Sequence, residues 1–155
     1  MKKPRTGPRL HSLEVPLDGI TLLVPSAAVA EVINLQNMAP VPFSQPWLKG
    51  AIGWRTLAVP VISFETLLGA PAKATPASGK LVIFYPLGGR KDWEFFAMFA
   101  TGEPRPQVLD GSQPVAEGSE LPDSSYIAAG LKVDNKLMLI PDLEALKKAF
   151  YPIQA

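Results

Sequence analysis

The 155-residue sequence contains no cysteine and a single histidine, His11. Without cysteine there is no disulfide, no thiolate metal site and no thiol nucleophile, and such a chain suits the cytosol. One histidine leaves no paired imidazoles for a transition-metal centre. His11 also stands beside a segment broken by proline and glycine, "MKKPRTGPR", where a solvated position is expected rather than a catalytic base. Long apolar runs are missing too: "LAVPVI" and "EFFAMFA" have the length of strands, far short of a bilayer span, so no membrane insertion is expected. No apolar stretch follows the basic start, which speaks against a signal peptide. A basic stripe is equally absent. The net charge is +1, and Lys2, Lys3, Arg5 and Arg9 crowd into the first nine positions, which leaves the rest slightly acidic and nucleic acid an unsuitable partner.

What the sequence does hold is 47% apolar and 19% charged residues, an ordinary globular balance, with 17 prolines that count against long helices. The length suits one domain or two small subdomains. Short β-prone segments come first: "HSLEVPL" (11–17), "ITLLVP" (20–25) and "AAVAEVI" (27–33). In the third, strict alternation puts Val29, Glu31 and Ile33 on one side and Val32 on the other. A proline-rich connector (38–47) precedes "AIGW" and "TLAVPVI". Then "SFETLLG" reads as a short helix, capped by Ser63 and stopped by Gly69.

The small-residue stretch 70–79 is expected to link two halves, with a tail at 1–10, a first subdomain at 11–69 and a second at 80–151; strand exchange between them is allowed for. "KLVIFYPL" and "WEFFAMFA" around "GGRKD" form a predicted hairpin. The polar, proline-bearing segment 103–125 is expected to run over the surface. "YIAAGLKVDNKLMLIPD" predicts a second hairpin turning at Asp134-Asn135. A closing helix, "DLEALKKAF", has Asp142 as cap, Leu143, Leu146 and Phe150 as its apolar face, and Pro152 beyond its end.

An internal repeat is visible. Gly50–Leu68 and Gly130–Lys147 each run glycine, two strands, a polar cap (Ser63, Asp142) and a short helix, and the apolar pair at 20–33 is matched to the pair at 81–100. Short strands in two similar halves predict an all-β fold of two small packed barrels, which leave few open sheet edges.

Residues able to do chemistry are sparse. The loop acids Asp110, Glu117, Glu120 and Asp123 lack calcium-loop spacing. "PLGGRKD" lacks the spacing of a phosphate loop and leads into a strand. Glu31, Glu65 and Glu94 stand on different elements with no signature around them. No catalytic residue, cofactor or metal is therefore expected, and binding remains. Arg55, beside Trp54 at a strand junction, reads either as a snorkelling surface residue or as a planar donor offered to a partner.

In sequence, "VAEVI", "APVPFSQPWLKGAIGWRTLAVPVISFETLLG" and "YIAAGLKVDNKLMLIPDLEAL" together resemble the CheW-like domain of bacterial chemosensory systems, across about residues 12–150. The resemblance implies two five-stranded barrels of Src-homology type with short helices. It also implies a non-enzymatic adaptor that binds the regulatory domain of a CheA-type histidine kinase and the cytoplasmic tip of methyl-accepting chemoreceptors. Val29, Glu31, Ile33, Lys49, Trp54 and Arg55 would form the partner-binding set, with Val29 and Glu31 facing the receptor and Arg55 coupling receptor to kinase. Where the family usually has Arg-Gly this chain has Arg55-Thr56; Gly53 replaces an asparagine and Ser63 an aspartate. The segment after "ATGEPRP" is similar to adaptors of type IV pilus systems. Two other readings remain open at this level: a barrel that binds a peptide or pilus-assembly protein by strand addition, and a sensor or enzyme with a pocket between the barrels.

Overall fold

The structure, a computed structural model, describes residues 9–42, 44–71, 78–87 and 91–151. The tail before residue 9, the centre of the 70–79 connection, the glycine turn at 88–90, the side chain of Phe150 and Pro152 lie outside the described residues.

Among the described residues ten strands and two short helices follow one another: β1 (Leu10–Pro16), β2 (Thr21–Pro25), β3 (Val29–Asn34), β4 (Leu48–Trp54), β5 (Leu57–Ile62), α1 (Phe64–Leu67), β6 (Lys80–Phe84), β7 (Phe96–Ala100), β8 (Arg105–Leu109), β9 (Ile127–Val133), β10 (Lys136–Pro141) and α2 (Leu143–Phe150). The all-β expectation holds, as do both helices. Ser63 accepts from the Thr66 amide at the start of α1 and Asp142 from the Ala145 amide at the start of α2, each supplying an acceptor to an otherwise orphaned N–H.

The strands form two five-stranded sheets, ordered β3-β6-β7-β5-β4 and β8-β1-β2-β10-β9. The first is built from one continuous stretch of chain; the second combines the N-terminal hairpin with the C-terminal strands. Each sheet thus takes strands from both sides of the 70–79 connection, so the halves 11–69 and 80–151 are not the two sheets. The two orders correspond strand for strand, with β3, β4, β5, β6 and β7 answering to β8, β9, β10, β1 and β2. The partner of the β6–β7 hairpin is therefore β1–β2, rather than the 20–33 pair that was matched to it in sequence. The correspondence extends to detail. Ser63 N–H donates to Trp47 O and Asp142 N–H to Tyr126 O, both at 2.8 Å. Parallel pairs β5·β7 and β2·β10 complete the two sheets.

Both sheets curl. Ile52 and Trp54 of β4, Val59 and Val61 of β5, Leu81 and Ile83 of β6, and Ala97 and Phe99 of β7 share one cluster with Ile33 of β3. Side chains from both edge strands can meet only if the sheet closes toward a barrel. In the second barrel Leu23, Leu109, Val133 and Met138 do the same with fewer residues. A third and larger cluster lies between the barrels, where Val15, Leu22, Val24 and Leu139 of one meet Ile62, Val82, Phe84 and Met98 of the other, with Phe64 and Leu146 from the helices. This sandwiched position explains why "LVIF" and "FAMFA" are apolar without alternation: β6 and β7 bury both faces.

One expectation gains detail and another needs correction. Segment 103–125 is mostly exposed, as expected of a surface segment, and within it β8 pairs along β1 and a 3-10 turn spans Gly118–Glu120. β8 carries Pro106, and a proline that cannot donate to a ladder is tolerated because β8 is an edge strand. In β3 a bulge between Val29 and Glu31 breaks the alternation. As a result Val29 packs with Val32 against the central cluster, whereas Ile33 turns into the first barrel.

Candidate functional site

The β4–β5 hairpin ends in a two-residue turn, since Trp54 pairs with Leu57 across it. Both turn residues adopt positive φ, 46° at Arg55 and 65° at Thr56. The equivalent turn of the second barrel places Asp134 and Asn135 at 50° and 63°. Asp and Asn tolerate this left-handed region, as a tight hairpin demands, but a β-branched threonine does so at a steric cost. The outcome is a tight tip that projects Arg55.

Around that tip three expected site residues converge. Trp54 Nε1–H donates to Glu31 Oε1 at 2.9 Å. The Arg55 guanidinium lies over the Trp54 ring, 4.4 Å from its centroid, and its Nη2 stands 3.7 Å from the same Glu31 oxygen. Glu31 belongs to β3 and Trp54 to β4, the two opposite edges of one sheet, so the contact fastens the barrel where its edges approach. Phe95 packs behind, its ring 4.9 Å from that of Trp54. The arrangement can present a planar cation at a fixed place. It holds no nucleophile and base in register, and among the described residues there is no group of His, Cys, Asp or Glu that could hold a metal.

The other candidates fall elsewhere. Val29 and Ile33 support β3 from inside, on the two clusters already named, and each is only partly accessible. Lys49 lies at the far end of β4, roughly 17 Å along the strand from Trp54 at about 3.3 Å per residue. Its ammonium sits 5.3 Å from the Phe99 ring centroid; burial pushes its pKa below the usual lysine range, and the charge of Glu65 partly offsets this.

Sequence reasoning missed the residues that brace this corner. Tyr151 donates to Phe95 O at 2.8 Å, and Lys147, wholly buried on α2, donates to Tyr85 O and lies 5.5 Å from the Phe96 ring centroid. α2 thereby grips both ends of the β6–β7 connection. Burial, helped by the charge of Glu94, pushes the Tyr151 hydroxyl up to about 12. The signal for Lys147 was present, since it stands four residues after Leu143 on the apolar stripe.

A separate open cleft of about 350 Å³ lies on the second barrel, lined by Glu14, Pro16, Gly102, Glu103, Arg105 and Lys136. Burial raises the Glu14 pKa, but hydrogen bonds from Gln107 and Lys136, with the charges of Lys136 and Arg105, outweigh this and hold it below the usual carboxylate range. Among the described residues no helix is long and apolar enough to cross a membrane.

Compared with known proteins, residues 11–149 match the family described as the CheW-like domain. No curated protein matches the sequence. Among solved structures, the fold is similar to that of the scaffolding protein TtCheW from Thermoanaerobacter tengcongensis, with a TM-score of 0.71 and 16% identity over 87% of this chain and 90% of that one. At such identity it is the fold that the two share.

Proposed function

The chain belongs to the CheW-like domain family, whose members are scaffolds of chemosensory signalling, and from that premise we propose that it is a non-enzymatic cytoplasmic adaptor joining chemoreceptors to a CheA-type histidine kinase. Its partners would be the kinase regulatory domain and the cytoplasmic tip of a methyl-accepting receptor. The observation that carries this reading is Arg55: the arginine that the family motif offers to partners stands on a tight turn, with 64% of its side chain exposed, stacked on Trp54 beside Glu31. On this reading Glu31 and Arg55 form the centre of the partner-facing surface. Val29, Ile33 and Trp54 support it from within, and Lys49 marks its far end along β4.

Strand addition fits less well. Ala39 bridges to Ala51 and covers part of the β4 edge, Val115 does the same for β9 through Leu131, β8 carries Pro106, and the middle of β3 is tied to β4 through Glu31 and Trp54.

Isothermal titration of the chain against the isolated regulatory domain, and separately against a receptor-tip hairpin, tests the proposal. Dissociation constants on the order of micromolar are expected for such contacts. Arg55→Glu should weaken at least one of them by about tenfold or more while far-UV circular dichroism is unchanged. Binding to neither partner by a folded sample would sink the reading.

A further inference from the structure

Among the described residues two large aromatic side chains are exposed, Trp93 to 47% and Tyr85 to 45%, and both belong to the connection between β6 and β7. Single exposed apolar residues are ordinary, but these two share one support. Tyr85 lies against Phe95 with ring centroids 6.0 Å apart, and Trp93 meets Tyr151 edge-on at 5.7 Å. Tyr151 in turn donates to Phe95 O at 2.8 Å, and Trp93 precedes Phe95 by two residues, at most about 7 Å of chain. Each exposed ring also keeps its polar group available: no described residue pairs with the Trp93 indole N–H or the Tyr85 hydroxyl. The charges around the patch cancel. Exposed Lys91 is followed by exposed Asp92, and on the far side of Phe95 the Arg55 guanidinium stands 3.7 Å from Glu31.

We propose that this patch is a docking site for an extended, proline-rich segment of a partner protein, bound in the polyproline conformation. Two hydrogen-bond donors on aromatic rings, without net charge around them, call for a neutral ligand that brings apolar rings and free carbonyls. A polyproline segment has both, because its backbone makes no internal hydrogen bonds, and its prolines bring no N–H that would need an acceptor. Its rings pack on Trp and Tyr while its carbonyls accept from them, and one turn spans about 9 Å, the scale of the patch. A helix fits less well, since its carbonyls are already used within it. Strand addition is closed here, because β7 lies between β6 and β5. The site goes beyond the adaptor role and does not require it, although Phe95 also packs on Trp54 and so makes the patch continuous with the Arg55 corner.

Titration of the 15N-labelled chain with a synthetic oligoproline of about ten residues tests the proposal. The Trp93 indole resonance should shift saturably, with a dissociation constant on the order of 1 mM or below. The Trp54 indole, buried and bonded to Glu31, should stay in place. An alanine-rich helical peptide of equal length should move neither. Trp93→Phe keeps a ring and removes the donor, so affinity followed by amide shifts should fall about three- to tenfold, and Tyr85→Phe should act alike. Trp93→Ala should abolish binding with circular dichroism unchanged; if that variant loses its fold, Tyr85→Ala carries the same expectation.

No saturable shift, an equal response to the helical peptide, or unchanged affinity in the alanine variant would overturn the proposal. Two other occupants are separated by the same resonance. If deletion of residues 152–155 moves the Trp93 signal as far as saturating peptide does, the chain's own terminus fills the patch. If the signal moves with protein concentration alone, a second copy does. Either result also refutes docking of a partner segment. Failure of the chain to bind the kinase domain and the receptor tip would remove the adaptor role and leave this test intact, since the oligoproline titration uses neither.

Discussion

Thr56 is the residue at which local sequence and local structure disagree most. Its φ of 65° lies in the left-handed region, where the Cβ of any L-residue crowds its own carbonyl by about 1–2 kcal/mol and a β-branched one fares worse. Glycine would remove that strain but would also gain freedom in the unfolded chain, which offsets part of the benefit. Thr56→Gly should therefore stabilise the protein by about 1 kcal/mol. Urea denaturation checks this through a rise in midpoint at constant slope, and a fall in midpoint would mean that the threonine side chain makes a compensating contact. That Arg55 follows Trp54 at a strand junction could be read from the residues themselves. That Trp54 reaches Glu31 could not, because the two are 23 positions apart and lie on opposite edges of a sheet whose closure no local pattern records.

Among the elements, α2 shows how a helix can follow its sequence pattern and still hide its main contacts. Asp142 caps it and Leu146 anchors it, as the 3.6-residue spacing of apolar positions implies. Its attachment to the first barrel, however, also depends on two polar groups, Lys147 and Tyr151, gripping the carbonyls of Tyr85 and Phe95. Tyr151 makes that attachment sensitive to alkali. Its folded pKa of about 12 exceeds the 10.0 of a free tyrosine, so between these values the unfolded chain has released a proton that the folded chain retains. The stabilisation is whole below pH 10 and is lost as pH rises toward 12. Since lysines titrate in the same window, the comparison is with Tyr151→Phe: the parent should lose stability relative to the variant from pH 10 upward, seen as earlier hydrogen exchange in α2. Parallel curves would show that the hydroxyl is not held as the geometry implies. β8 is the opposite case, an element with almost no signal of its own. Pro106 and isolated apolar residues read as loop, and only the edge of β1, already shaped by β2, gives the segment a ladder to join.

Across the whole molecule, the central cluster decides the behaviour. Val15, Leu22, Val24 and Leu139 from one sheet interlock with Ile62, Val82, Phe84 and Met98 from the other, so neither barrel can open without exposing half of a shared core. The two should unfold as one unit, although the first is continuous in sequence from β3 to β7. Met98→Ala, deep in that interface, should cost about 2–5 kcal/mol. Loss of tryptophan fluorescence, which reports on the first barrel, and loss of protection at amides of β9 and β10 should occur at the same denaturant concentration in parent and variant alike. Separate transitions would show the barrels to be independent domains.

The sequence by itself determined which segments other than β8 are strands, where the Asp134-Asn135 turn falls, which residues cap the helices and that a pattern of elements repeats, together with the family to which the motifs point. Each of these follows from near-neighbour chemistry: alternation for a half-buried strand, a polar acceptor before a helix, a two-residue loop between matched apolar runs. Tertiary structure alone decided that the N-terminal hairpin completes the far barrel, that β8 exists, that a bulge turns Val29 and Ile33 to different cores, and that Glu31, Trp54 and Arg55 meet. Strand partners distant in sequence are selected by whichever arrangement lets both sheets close and buries both faces of β2, β6 and β7 at once. That choice is made by the packed molecule and is invisible in any window of residues short enough to show a period.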